Sequence, residues 1–174
     1  MNINTVENVQ QLNVDHCIAA LAMQLKARLS ELGRDDCYFV GIQTGGLWVA
    51  ERLGQHLNKA DRLGSLNISF YRDDFSQIGL HPTVNPSSLR FSVDNAHIVL
   101  VDDVIMSGRT IRAALNELFD FGRPLSVTLA TLVDLQANAL PIRPDVSGIS
   151  LTLAPNQRIK LNGPSPLSLV VKTL

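Results

Sequence analysis

Two adjacent carboxylates, Asp102 and Asp103, directly follow the apolar run of residues 98–101. Such a run predicts a buried strand, and ligands bind at the carboxyl ends of strands in open α/β sheets. Carboxylates at this place suit the hydroxyl groups of a ribose, because they accept hydrogen bonds from them. An unpaired charge at the end of a buried strand is costly, which favours a ligand-binding role over a purely structural one.

The loop after the two acids has the composition of a phosphate-binding loop. It contains Ser107, Gly108 and Thr110, where the next helix is predicted to begin. Backbone N–H groups at a helix start lack partners within the helix and lie at the positive end of its dipole, so they bind phosphate. Gly108 permits close approach of the backbone, and the two hydroxyls add donors. Together with the acids, this loop predicts a site for ribose 5-phosphate; the structural alternative is a capped helix start.

The surrounding pattern predicts the elements that position this segment. Apolar residues recur at helical spacing over 15–32, with Asn13 or Asp15 as the cap, and over 47–57 and 110–121. Buried strands are predicted over 37–42, 63–71, 98–101 and 126–133. This alternation predicts an α/β fold, in which a parallel central sheet has helices on both faces.

The 174 residues are predicted to form a single domain with a small C-terminal lobe, because a chain of this length buries a core unaided. Short β-like runs among proline and glycine assign this lobe mainly to residues 135–174. The polar stretch near 72–90 has no periodicity and predicts a mobile loop, and long loops in compact domains are often functional.

Composition excludes several classes of protein. The 15 basic and 16 acidic residues give no global charge for non-specific nucleic-acid binding. Cys17 and Cys37 have neither metal-ligand spacing nor a disulfide framework, so both are expected to be reduced thiols in the core. The sequence shows no signal core and no apolar run of membrane-spanning length, which predicts a cytoplasmic protein without membrane association.

The segment of residues 100–115 resembles the phosphoribosyl-pyrophosphate signature of type I phosphoribosyltransferases. Within that superfamily, the chain is similar to the pyrimidine-operon regulatory proteins that are also uracil phosphoribosyltransferases. Further matching stretches, in the family's order, are 40–46, 71–74, 120–124, 132–134 and 140–143. The resemblance fades after about Gly148.

This resemblance implies the type I phosphoribosyltransferase fold with a C-terminal hood lobe. It also implies transfer of phosphoribosyl from phosphoribosyl pyrophosphate to uracil, which gives UMP and pyrophosphate. Asp102 and Asp103 would hold the ribose hydroxyls, and the loop after them would hold the 5′-phosphate. The implied contacts to phosphoribosyl pyrophosphate are Thr44, Gly45, Asp102, Asp103, Val104, Ile105, Met106, Ser107, Gly108, Arg109 and Thr110.

The resemblance also implies which residues bind the pyrophosphate and the base. Thr44 and Gly45 would receive pyrophosphate through backbone donors, and Arg72 would neutralise its charge from a loop that closes over the site. The base would lie against Asp134, Leu135, Ile159 and Lys160, of which the last two belong to a strand that also contains Arg158. Mg²⁺ would be bound mainly by oxygens of phosphoribosyl pyrophosphate rather than by a dedicated cage of protein ligands.

The chain departs from the family's pattern at three places. The pyrophosphate loop Thr44-Gly45-Gly46 lacks the basic residue that is often found there. Asn162 stands where related enzymes place an acidic residue near a second metal. Residues 135–139 lack the positive charges of RNA-binding relatives, and this argues against RNA binding, since RNA affinity depends heavily on Lys and Arg.

Two other functions stay open at this point. One is a nucleotide-sensing regulator of pyrimidine synthesis that binds uridine nucleotides or phosphoribosyl pyrophosphate with little or no catalysis. The other is a purine-base phosphoribosyltransferase, which would differ only in the base pocket. Similar proteins form dimers or tetramers, so we expect a homodimer.

Overall fold

Helices and strands alternate along most of the chain, as the sequence pattern predicts. The computed structural model describes residues 2–3, 12–69 and 86–174. The helices are α1 (Val14–Glu31), α2 (Gly45–His56) and α3 (Arg109–Asp120). The strands are β1 (Asn2–Ile3), β2 (Cys37–Ile42), β3 (Leu63–Leu66), β4 (His97–Ile105), β5 (Ser126–Asp134), β6 (Val146–Leu151), β7 (Gln157–Asn162) and β8 (Ser168–Thr173). Among the helices described, none has the length and apolarity needed to cross a membrane.

A six-stranded parallel sheet forms the centre of the fold. Its strands lie in the order β1, β6, β5, β4, β2, β3. Helices α1 and α2 cover one face with the larger apolar cluster, and α3 covers the other face with a second cluster. The predicted parallel sheet with helices on both faces is therefore confirmed.

Strand β4 is buried on both of its faces. Val99 and Val101 face the cluster under α1 and α2, whereas Ile98 and Leu100 face the cluster under α3. All four side chains are at most 1% exposed. Because successive side chains of a strand point to opposite faces, a strand covered on both sides needs a continuous aliphatic run. Burial of each such side chain contributes about 1.5–3 kcal/mol.

The same strand is longer than its apolar run predicts. The sequence predicted a strand over 98–101, but β4 continues to Ile105. Its pairing with β5 continues as far as the pair of Ile105 with Asp134. Backbone hydrogen bonds therefore keep Asp102 and Asp103 in an extended conformation within the strand. Their polar side chains alone would not predict a strand at these positions.

Helix α1 begins and ends where local signals place it. The Asn13 side chain accepts a hydrogen bond from the backbone N–H of His16 at 3.1 Å. This satisfies one of the free donors at the helix start, so Asn13, and not Asp15, is the cap. Gly33 follows the helix with a φ of 64°, a conformation that favours glycine.

The region around β3 is only partly described. The strand is shorter than the predicted span 63–71. Arg72 and most of the predicted loop near 72–90 lie outside the described residues. Where the description resumes, Ser88 pairs in antiparallel fashion with Ser65 of β3. This pairing places residues 86–90 along the outer edge of the sheet.

A hairpin of β7 and β8 forms a separate two-stranded sheet. It is smaller than the predicted lobe of residues 135–174, because β6 joins the central sheet beside β5. We call this β7–β8 unit the hood hairpin. Its turn lies against α2: a Cβ atom added to Gly163 would be 2.6 Å from the Trp48 ring and 2.6 Å from Leu167.

Candidate active site

A cavity of about 520 Å³ opens at the carboxyl end of β4, between the start of α3 and the hood hairpin. This volume is typical of sites for small ligands. The cavity brings together the two acids, the whole predicted phosphate loop and three of the predicted base contacts. Its lining residues are Ile68, Asp102, Asp103, Val104, Ile105, Met106, Ser107, Gly108, Arg109, Thr110, Ile111, Ala113, Leu135, Gln157, Arg158, Ile159 and Lys160.

The two acids differ in exposure. Asp102 is only 4% exposed, whereas Asp103 is half-buried. The backbone N–H of Asp103 donates to the Asp102 carboxylate at 3.0 Å, which fixes the orientation of that carboxylate. On the neighbouring strand β5, Thr131 lies in register with Asp102. The polar groups at this end of β4 are therefore held by the sheet itself.

The loop at the start of α2 packs directly behind these acids. A Cβ atom added to Gly45 would overlap the Asp103 carboxylate. A Cβ atom added to Gly46 would be 2.5 Å from the Val101 carbonyl oxygen. Thr44 is exposed, and neither it nor Gly45 is among the cavity-lining residues. A side chain at Gly46 would collide with the backbone of β4, and a side chain at Gly45 would have to displace the Asp103 side chain.

The predicted phosphate loop lies at the start of α3. Gly108 precedes the helix with φ 87° and ψ −3°, the left-handed conformation that only glycine adopts freely. The Ser107 hydroxyl accepts a hydrogen bond from the backbone N–H of Arg109 at 3.3 Å. The positive end of the helix dipole and the first free N–H groups therefore lie at the cavity. This arrangement suits an anion such as a phosphate.

Residues from two separate elements form the opposite side of the cavity. The backbone N–H of Leu135 donates to the Ile105 carbonyl at 3.0 Å, so the end of β5 is tied to the end of β4. Ile159 and Lys160 come from β7 of the hood hairpin. Ile159 is half-buried and packs against the larger apolar cluster, whereas Lys160 is exposed. An apolar side chain beside polar groups is suited to a flat heterocyclic base.

The fourth predicted base contact, Asp134, has a local partner. Its carboxylate accepts a hydrogen bond from the backbone N–H of Gln136 at 2.8 Å. It is 9% exposed and is not among the lining residues of the cavity. Its contact with the base stays a prediction.

Some lining residues were not assigned to the site from the sequence. Ile68 follows β3 without any motif that marks it. Gln157 and Arg158 precede the predicted base contacts on β7, and Arg158 was only placed in the strand that bounds the base. Gln157 and Arg158 could have been predicted from their position in the same strand as Ile159 and Lys160. Neighbouring residues of one strand can line the same side of a cavity.

The oxygen donors of the cavity fit a hard cation. No cluster of three His, Cys, Asp or Glu side chains suited to a metal occurs within residues 12–69 and 86–174. Two carboxylates, those of Asp102 and Asp103, face the cavity. Mg²⁺ prefers this type of ligand and is usually completed by water and substrate phosphates. The residues present therefore fit a Mg²⁺ ion that arrives together with a phosphorylated ligand.

Comparisons with solved structures match the fold just described. Hypoxanthine phosphoribosyltransferase of Trypanosoma cruzi superimposes with a TM-score of 0.64 at 15% identity, covering 92% of this chain and 91% of that chain. A purine phosphoribosyltransferase of Pyrococcus horikoshii superimposes with a TM-score of 0.59 at 23% identity, covering 86% and 87% of the two chains. At such identities the likeness shows a shared fold.

Sequence comparisons are more specific. Residues 8–160 match the family described as phosphoribosyl transferase domain. The bifunctional protein PyrR of Pseudomonas syringae pv. tomato is 59% identical over 162 residues, which cover 93% of this chain and 95% of that protein. The bifunctional protein PyrR of Pseudomonas fluorescens is 57% identical over 162 residues, covering 93% and 96%. The predicted resemblance is thus confirmed, and the chain belongs to the type I phosphoribosyltransferases, among the bifunctional PyrR proteins.

Proposed function

We propose that this phosphoribosyltransferase transfers phosphoribosyl from phosphoribosyl pyrophosphate to uracil and also regulates pyrimidine synthesis. The single observation that carries the proposal is one cavity lined by the two acids, the phosphate loop and Ile159. The resemblance to pyrimidine-operon regulators and the name of the relatives, bifunctional protein PyrR, support the two roles. A cytoplasmic homodimer is part of this proposal and rests on the same resemblance.

The sugar and its phosphate are assigned to the sheet side of the cavity. Asp102 and Asp103 accept hydrogen bonds from the 2′- and 3′-hydroxyls, and the loop of residues 104–110 binds the 5′-phosphate through backbone N–H groups. This orientation leaves C1′ between the acids and the hood hairpin. Binding at both ends of the ribose fixes the reacting carbon, which converts an intermolecular reaction into an oriented one.

The reaction is a substitution at C1′. The bond from C1′ to pyrophosphate oxygen breaks, a uracil nitrogen forms the new bond to C1′, and that nitrogen loses its proton. Positive charge develops on the ribose in the transition state, and the carboxylates of Asp102 and Asp103 stabilise it. The charge is already in place before the substrate binds, because the sheet holds both acids.

The leaving group is assigned to the loop of Thr44 and Gly45, through backbone donors at the start of α2. Arg72, which lies outside the described residues, is assigned to the charge of pyrophosphate. Mg²⁺ bound to the substrate's phosphate oxygens neutralises charge on the leaving group when it is present. Asp102 and Asp103 are the residues of this chain that would contact it.

The base is assigned to the hood side. Ile159 packs against the ring, while Leu135, Lys160 and Asp134 surround its polar edge. The hood hairpin therefore decides which base is accepted.

The absence of positive charge over 135–139 supports regulation that does not depend on RNA binding.

A pyrophosphate-release assay tests the proposal. Purified protein is incubated with phosphoribosyl pyrophosphate and Mg²⁺, and release is compared with uracil, hypoxanthine and guanine as acceptors. We expect release with uracil and formation of UMP. If a purine base were preferred, that base would replace uracil as the assigned substrate. Equal inactivity with all three bases would refute catalysis.

A nucleotide-sensing regulator with little catalysis is the second candidate. The specific observation in its favour is the pyrophosphate loop, which has no basic side chain and no room for one at Gly45. Isothermal titration with UMP and UTP distinguishes the two. Tight nucleotide binding without turnover would select the regulator.

A further inference from the structure

A turn formed by residues 138–142 lies directly behind the phosphate loop, and we call it the supporting turn. Its backbone N–H groups at Ala139 and Leu140 both donate to the Ser107 carbonyl, at 3.1 and 3.0 Å. Two donors on one carbonyl fix that oxygen more firmly than a single hydrogen bond. The supporting turn therefore controls the direction of the peptide unit between Ser107 and Gly108.

The direction of that peptide unit matters for phosphate binding. A trans peptide is planar, so the carbonyl of Ser107 and the N–H of Gly108 point in opposite directions. Because the carbonyl points to the supporting turn, the N–H of Gly108, a residue that lines the cavity, points away from that turn. The turn thus orients a backbone donor that the phosphate loop needs.

Side chains of the turn support the same glycine. A Cβ atom added to Gly108 would lie 3.3 Å from the Cβ of Ile142 and 3.5 Å from the Cβ of Leu140. These residues fill the space where any other side chain at 108 would extend. The loop therefore rests on the turn through both backbone hydrogen bonds and apolar contact.

One side chain closes the supporting turn. The Asn138 Nδ2 donates to the Ile142 carbonyl at 2.7 Å, which links the first and last residues of the turn. Asn138 is half-buried and is not among the cavity-lining residues. Its effect on a ligand in the cavity would therefore be exerted through the loop.

We propose that Asn138 is a positioning residue for the phosphate site: it closes the supporting turn, and the turn orients the Ser107–Gly108 peptide. The assignment of a phosphate to this loop rests on the proposed function. The hydrogen bonds between the turn and the loop do not, since they join residues of the chain itself.

Hydrogen exchange in the ligand-free protein tests the first half of the proposal. In Asn138→Ala, we expect the amides of Ala139 and Leu140, which donate to the Ser107 carbonyl, to exchange about fivefold to tenfold faster than in the wild type, a loss typical of one hydrogen bond. Asn116→Ala is the matched control, because Asn116 is exposed on α3 and leaves the turn intact. Asn138→Asp keeps the side-chain volume but removes the donor, so it should behave like Asn138→Ala.

Kinetics test the second half. We expect the KM for phosphoribosyl pyrophosphate to rise about fivefold to tenfold in Asn138→Ala, with the KM for the base and kcat nearly unchanged. Equal increases in both KM values, or unchanged exchange at Ala139 and Leu140, would overturn the proposal. If wild-type protein bound no phosphoribosyl pyrophosphate, the proposed function would fail, and hydrogen exchange alone would decide whether Asn138 holds the loop.

Discussion

The carboxylate of Asp103 lies so close to Gly45 that a single added carbon would overlap it. The contact joins the loop assigned to pyrophosphate with an acid assigned to ribose. Two elements distant in the sequence thus share one packing contact at the end of β4. A side chain added to the loop would therefore have to displace the acid.

Gly45→Ala is therefore expected to displace the Asp103 carboxylate and to lower kcat/KM by about 100-fold, as misplacement of a reacting group by about 1 Å can do. The matched control is Gly54→Ala, which lies in the same helix and whose added Cβ would meet no atom nearer than 3.4 Å. That control should retain activity and gain up to about 1 kcal/mol of stability, as alanine does in helix interiors. Equal activity of both variants would contradict the role given to this contact.

The double variant Asp102→Asn and Asp103→Asn is expected to abolish turnover. Both substitutions preserve side-chain size but remove the charge that stabilises the transition state. Because asparagine keeps an oxygen that can accept the hydrogen bond from the Asp103 N–H, the domain should stay folded. Turnover with uracil and urea denaturation measure the two effects. Asp120→Asn, at the end of α3, is the control, and unchanged turnover in the double variant would refute the assignment.

Trp48 anchors the hood hairpin to α2, because its ring lies against Gly163 in the hairpin turn. Trp48→Ala should lower the free energy of unfolding by about 3 kcal/mol, the low end of such truncations, since the side chain is only half-buried. It should also raise the KM for the base more than the KM for phosphoribosyl pyrophosphate, because Ile159 and Lys160 belong to the hairpin. Equal changes in both constants would argue against the anchor.

Asp36 pairs with Arg62, and the Arg62 guanidinium lowers the pKa of the Asp36 carboxyl below its usual value. A pKa lowered in the folded state means that the pair stabilises the fold above the usual aspartate pKa. This stabilisation is lost as the pH falls through the lowered pKa. Asp36→Asn should therefore reduce the thermal midpoint at pH 7 and reduce it less at pH 3. Asp120→Asn, an exposed aspartate far from Arg62 in the sequence, is the control, and a reduction of equal size at both pH values would contradict the prediction.

Burial raises the pKa of the Cys17 and Cys37 thiols above the usual value. Both side chains are in the larger apolar cluster, as predicted for reduced core thiols. The thiolate is the reactive form, so alkylation by iodoacetamide at pH 8 should be at least about 100-fold slower in native than in urea-unfolded protein. Comparable rates in the two states, followed by mass spectrometry, would show that the thiols are accessible.

Local sequence signals predicted which helices and strands form more accurately than they predicted where each one begins and ends. The spacing of apolar residues predicted α1, because helical periodicity depends on residues within a few turns. The end of β4 was missed, since the backbone pairing with β5 that extends it leaves no apolar signal. β6 was assigned to the accessory lobe because its short run resembles those of β7 and β8. Only the sheet pairing distinguishes them.

In the candidate site, too, some residues were predicted from local sequence and others were not. The acids and the phosphate loop were predicted because they are contiguous, and the cavity contains all of them. Gln157 was not assigned, and Arg158 was placed only in the strand that bounds the base, since their position depends on how the hood hairpin docks. The contact between the supporting turn and the Ser107 carbonyl has no sequence motif at all. It depends on a long-range meeting of two loops.

The hood hairpin is a separate two-stranded sheet, and its Leu161 and Leu169 are buried in the same apolar cluster as Val99 and Val101 of β4. Arg158 and Lys160 of the hairpin, by contrast, are exposed and line the cavity. On the proposed assignment, changes at such exposed hairpin positions would alter base recognition and leave the hydrogen-bonded register of β4 intact. One scaffold could then accept different heterocycles while the residues that bind the sugar stay the same.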